Sequence, residues 1–241
     1  MRYLRSYRFL FDNTHRTQSL LGVAVCEAIP VLGQIIFTGY AFDMIEALDE
    51  RGDTNCPAFD TSRLSAYVTR GLWPLIVQLV VLLPVLFVAW IVGMVLVALI
   101  AGDPGRATGV RVFLALLFPI VFVAVLGLSI VLAPLTLYVG VRQELSGAAI
   151  DFVRDFLRRV GRETALAQAF IATTGTSLII VGTLLLCLPV LPALALVHFA
   201  QYHLLGQLYR LYRQRGGSAV PLPTPAPATE ETQNEVEPSN P

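Results

Sequence analysis

One carboxylate, Glu27, stands inside the long apolar run Leu20–Phe42. An acid at membrane depth is costly and by default marks a proton or cation site. Gln34 follows it on the same run as a polar neighbour. A second group with chemistry to offer is the pair His198 and His203, which flank Tyr202 in the sequence HFAQYH. Five residues correspond to about 500° of helix rotation, which leaves the two rings roughly 140° apart and unable to share a metal ion. They are expected to make polar contacts between helices instead. The third group is cationic. Arg154, Arg158 and Arg159, with Arg162, share one face of the segment 143–163, at spacings that admit pairing with Asp151 and Asp155. Such a face suits the headgroups of anionic lipids.

Missing residue types exclude several activities. All 17 basic residues are Arg, so a phosphate loop with its Lys, a Schiff base or pyridoxal chemistry has no ammonium group to use. Cys26, Cys56 and Cys187 form no CxxC pair, an odd count without metal-type spacing. Val25 is too large for a lipidation signal at Cys26, and no A-x-A site ends the first apolar run, so neither lipidation nor signal cleavage is expected. No HExxH, nucleophile–base pair or nucleic-acid motif is present. The expectation is therefore a protein that is not an enzyme, with no catalytic, cofactor-binding or metal-ligating residues, no cofactor and no nucleic-acid partner. Its functional candidates are Glu27, Arg154, Arg158 and Arg159.

The elements that position these residues are apolar helices. Leu72–Ala101, Val112–Val141 and Ala165–Ala200 contain no Asp, Glu, Arg or Lys, and Leu20–Phe42 contains only Glu27. At ~1.5 Å per residue each exceeds the ~20 residues that cross a bilayer. Only 14% of the chain is charged, against roughly 25% for a soluble domain. The fold class expected is all-α, a polytopic transmembrane helical bundle with amphipathic interfacial helices, located in the cell membrane. Residues 1–215 form the membrane domain. Residues 216–241, rich in Pro and with four Glu, bury too little apolar surface to order and are expected to be disordered.

Within the membrane domain, the N-terminal MRYLRSYRFLFDNTHR reads as a basic amphipathic lead-in. Asp60 or Thr61 is placed to cap a helix, and Gly102-Asp103-Pro104-Gly105 reads as a turn. On 143–163, Ile150, Val153, Phe156, Leu157 and Val160 form the apolar face. Ala165, Ala169, Thr173 and Ser177 recur every four residues, a smooth stripe suited to helix packing within the monomer. A short apolar-Pro-Val-Leu signature recurs at Ile29–Leu32, Leu83–Leu86 and Leu188–Leu191, more loosely at Phe118–Val121. If each run crosses once, there are four spans, and the Arg-rich segment 142–162 falls outside, against the positive-inside rule. If the first and last runs turn back near Pro30 and near Pro189–Pro192, there are about six spans, with both termini cytoplasmic and every Arg cluster inside. Six spans is the expectation and four the alternative. Glu27 lies within the bilayer in the four-span arrangement and beside a wet outer turn in the six-span one.

Tyr3 with Arg5-Ser6-Tyr7-Arg8-Phe9, Gly39-Tyr40, Pro57-Ala58-Phe59-Asp60, Gly71-Leu72 and Gly206-Gln207-Leu208-Tyr209-Arg210 occur in that order. Together they resemble the domain-of-unknown-function 4013 family of bacterial and archaeal membrane proteins, over about residues 3–213. The resemblance implies a multi-span helical membrane protein without assigned activity, and carries no site residues with it. The function expected first is a non-enzymatic scaffold or accessory component of the membrane, with the lipid bilayer, anionic lipids and soluble proteins as partners. The alternative is a small transporter or exporter built on Pro-broken helices. A membrane enzyme ranks last, for want of an acid, base or nucleophile constellation.

Overall fold

A computed structural model describes residues 3–11, 16–29, 31–51, 57–102, 107–184 and 190–220. Within them the chain forms seven α-helices and no strand: α1 (Tyr3–Phe11), α2 (Arg16–Glu27), α3 (Leu32–Arg51), α4 (Leu64–Gly102), α5 (Ala107–Arg142), α6 (Ala148–Leu184) and α7 (Val190–Gln214). Three of them hold stretches long and apolar enough to cross a membrane, at Thr61–Val95, Pro119–Arg142 and Ala148–Leu184. Length and composition thus support three crossings and do not establish six.

The first apolar run does break where its proline stands. At 12 residues α2 is ~18 Å long, too short to cross alone. α3 stays uncharged only from Leu32 to Phe42, or ~16 Å. The chain reverses between them through Val31, at φ 64°, a backbone region that costs a β-branched residue energy. Gly33 makes the reversal possible, because a Cβ there would land on the Cys26 carbonyl. The expected turn residues Pro30 and Pro189 lie outside the described residues, as do Cys56, Cys187, residues 103–106 and the tail from residue 221 onward. Pro192 sits in the first turn of α7, while Pro84 and Pro119 sit inside unbroken helices. The recurring Pro signature therefore does not mark one kind of element.

α7 is the axis of the bundle. Ala195, Phe199, Ala200, Tyr202, His203, Leu204, Leu205, Leu208 and Tyr212 are all buried along it, and α1, α2, α3 and α6 pack around it. Its polar residues His198, Gln201, His203 and Gln207 explain why a central helix is not among the most apolar. In contrast, the far halves of α4 and α5 turn Val80, Phe87, Trp90, Ile120 and Val123 outward. That exposed apolar belt matches hydrocarbon, not water. α3 crosses α4 by backbone contact: Gly39 abuts the Tyr67 carbonyl and Gly71 abuts the Ile35 carbonyl.

Asp60 caps the 3-10 turn Thr61–Arg63 that leads into α4, accepting from the Ser62 hydroxyl at 2.7 Å and the Ser62 N–H at 2.8 Å. These bonds hold the Asp60 carboxyl below the usual carboxylate range. The basic lead-in becomes α1, docked by Tyr7–Thr174 (2.7 Å) and by Phe9 stacked on His203.

Three expectations need correction. The apolar face of 143–163 is rotated: Ala149, Phe156 and Val160 are buried and Ile150 is 73% exposed. The kink at Val160 and the seating of Phe156 on Tyr212 set that rotation. The small-residue stripe packs inside the monomer only in part, since Ala165 and Ala169 are half-buried. Thr164, Ala167, Ile171 and Gly175 face inward, while Thr173 and Ser177 are exposed and bond back to their own helix. Finally, residues 216–220 are ordered against α7. Gly216 takes φ 81°, Gly217 fits under the Tyr212 ring, and the buried Val220 donates its N–H to the Tyr209 hydroxyl at 3.1 Å.

Candidate functional site

On one straight helix, Glu27 and Gln34 would sit ~10.5 Å apart along the axis. The α2–α3 reversal closes that gap, and Gln34 Nε2 donates to Glu27 Oε2 at 2.7 Å. The other carboxylate oxygen, Oε1, is 2.6 Å from His198 Nδ1 on α7. Each oxygen of Glu27 therefore has a nitrogen partner, and the side chain is only 4% exposed, whereas His198 is 26% exposed. Glu27 is thus not the wet residue that a six-span arrangement places beside an outer turn. Phe37 stacks on the His198 ring at 5.5 Å, which fixes its plane. A carboxylate one hydrogen bond from an imidazole can hold or pass a proton, and it also latches the tip of the α2–α3 hairpin to the middle of α7.

Farther along α3, about 13 Å from Gln34 at ~1.5 Å per residue, lies an ionic layer. Arg70 on α4 donates to Asp43 Oδ1 at 2.8 Å and to Glu46 Oε2 at 2.9 Å, with a further contact to Glu46 Oε1. It also reaches the Gly140 carbonyl at 3.4 Å and lies over the Phe42 ring. Arg63 approaches Asp43 Oδ2 at 2.9 Å as a charge contact without aligned hydrogen-bond geometry. The layer continues through the Arg142–Glu144 pair and ends at Arg215, which bonds Glu163 at 2.5 Å. That carboxylate raises the Arg215 guanidinium above its ordinary range.

The arginine candidates divide. Arg154 and Arg158 are exposed and, with exposed Arg162, form a row one helical turn apart. Among the described residues no carboxylate lies within ion-pair distance of any of the three. Arg159 is committed to structure: its Nε spans both Asp155 oxygens at 2.9 Å, and its Nη1 donates to the Arg215 carbonyl at 2.6 Å. His203 bridges α7 to α1 through Ser6 at 3.0 Å, an interhelical polar contact as expected. Two features escaped the sequence reading, the His198 partnership with Glu27 and the Arg70 hub. A signal for the first existed, since an acid in an apolar run demands a partner and few polar groups in those runs could serve.

No group of three or more His, Cys, Asp or Glu side chains is placed to hold a metal among the described residues.

These features define an all-helical protein of membrane type, with apolar helices at one end and a charged layer at the other. The chain belongs to the family described as protein of unknown function (DUF4013), whose model matches residues 22–188. The match is shorter than the 3–213 that the motifs imply, so the Tyr3–Phe9 and Gly206–Arg210 motifs lie outside it. No curated protein and no solved structure matches the chain.

Proposed function

We propose that this protein is a non-enzymatic scaffold or accessory component of the cell membrane whose charged end docks on anionic lipid headgroups. In this reading α4, α5, α6 and α7 cross the bilayer, while α2–α3 dips in from the charged side and returns. An even number of crossings then keeps both termini on the cytoplasmic side, and Arg63, Arg70, Arg142, Arg154, Arg158, Arg162 and Arg215 lie there too, in accord with the positive-inside preference. The observation that carries the proposal is the exposed row Arg154, Arg158 and Arg162, level with the ionic layer and without ion-pair partners among the described residues.

Each basic residue near an anionic surface is worth about 1 kcal/mol. Reconstituted with spin-labelled lipids, the protein is expected to prefer phosphatidylglycerol over phosphatidylcholine several-fold. Arg154→Glu/Arg158→Glu/Arg162→Glu should bring that preference close to one. A preference that survives the triple reversal would end the lipid-docking reading.

The buried Glu27 favours a second reading, a small ion-coupled transporter. There, Glu27→Gln would accumulate to normal levels yet lose a proton-linked phenotype, and a fully active variant would retire it.

A further inference from the structure

α4, α5, α6 and α7 enclose a cavity of about 220 Å³ that neither the Glu27 cluster nor the arginine row uses. Most of its wall is apolar, including Leu82, Leu128 and Leu132. Three amides line it from three helices, Gln78, Gln168 and Gln201, accompanied by Thr136, Ser129 and Tyr202, and among the described residues no charged side chain lines it. The Tyr202 hydroxyl already donates to Thr38 Oγ1 at 3.5 Å. Gln168 and Gln201 make no hydrogen bond to any described residue. Both residues are half-buried, so their amides keep donors and acceptors open to the space, and an occupant that bonds to both would gain about 0.5–1.5 kcal/mol from each bond.

The wall also says what that occupant is. With no cation among the lining side chains, a phosphate or carboxylate headgroup would enter unneutralised at prohibitive cost. Val125, at the margin of the cavity, is 45% exposed on the apolar outer surface of α5, so the space communicates with the belt that faces hydrocarbon. A molecule reaching it comes from the lipid phase.

We propose that this cavity binds the uncharged, hydroxyl- or carbonyl-bearing head of a membrane amphiphile, held by the amides of Gln168 and Gln201, with its apolar chain leaving past Val125. The test uses the full-length protein in phosphatidylcholine nanodiscs, with a diazirine-bearing diacylglycerol as probe and a diazirine-bearing phosphatidylcholine as control. Wild-type protein should be labelled by the diacylglycerol at cavity-lining residues of α5–α7, and excess dioleoylglycerol should suppress that labelling. Gln168→Leu/Gln201→Leu, nearly equal in volume, should lower it about tenfold or more, as loss of two hydrogen bonds implies, while control labelling of Phe87 and Trp90 is unchanged. If the double variant fails to fold, Ala133→Leu, which fills the cavity, replaces it with the same expectation. Labelling of exterior residues only, labelling that dioleoylglycerol does not compete, or equal labelling in the variants would overturn the proposal and leave the cavity to water.

Discussion

Gly39→Ala is expected to destabilise the bundle by about 3 kcal/mol or more, read as the unfolding free energy in mixed micelles titrated with denaturing detergent. The added Cβ would collide with the carbonyl oxygen and carbon of Tyr67. A flexible side chain could rotate away, but a helix backbone cannot, so α3 must lift off α4. Ordinary overpacking costs about 1–3 kcal/mol, and backbone against backbone belongs at the upper end. Gly71→Ala meets the Ile35 carbonyl and should behave alike. The control is Gly127→Ala, whose Cβ meets nothing within 4 Å. Because Ala is the better helix former by up to about 1 kcal/mol, that variant should be neutral or stabilised. Similar stabilities for Gly39→Ala and Gly127→Ala would refute the close α3–α4 crossing.

The second large effect concerns the ionic layer. Arg70→Ala strands Asp43 and Glu46, whose side chains are 14% and 38% exposed, opposite an emptied site. Removing one partner of a buried pair costs about 3–5 kcal/mol. The exposure of Glu46 and the remaining Arg63 contact to Asp43 put this case near the lower figure. Arg70→Lys keeps the charge but not the planar fork that serves Asp43, Glu46 and the Gly140 carbonyl together. It should recover about half of the loss. A change below about 1 kcal/mol for Arg70→Ala would mean that the layer behaves as exposed surface pairs do. Both variants are read by the same detergent titration.

Both effects arise where two elements distant in sequence meet, and neither was visible along the chain. Gly39 and Gly71 belong to the motifs that carry the family resemblance, but a glycine near or in an apolar run is ordinary in membrane helices and does not say which backbone it will touch. Arg70 could equally have been a snorkelling residue at a helix entrance. The amphipathic segment 143–163 shows the limit well. Its period announced a helix, yet the buried stripe runs through Ala149, Phe156 and Val160 and leaves Ile150 outside. Hydrophobicity alone could not choose between faces that differ by one residue's rotation. Likewise, the stripe Ala165, Ala169, Thr173 and Ser177 has the spacing of an interface, but Ala167, Ile171 and Gly175 sit closer to the α7 axis and take that place.

By itself, the sequence determined the membrane-type, all-helical class and the main apolar stretches that form helices, placed a cap at Asp60 or Thr61 ahead of α4, and favoured a reversal of the first apolar run near residue 30 over a single crossing. These follow from local properties, chiefly uncharged length, backbone-restricting residues and side-chain capping chemistry, which act within a few turns of chain. Tertiary structure alone decided that Glu27 meets His198, 171 positions away, that Arg70 gathers two acids, and that Gln168 and Gln201 open onto a shared cavity. Those pairings depend on how far each helix slides and rotates against its neighbours. Close packing of side chains and glycine backbones sets that slide and rotation, and no single segment contains the information.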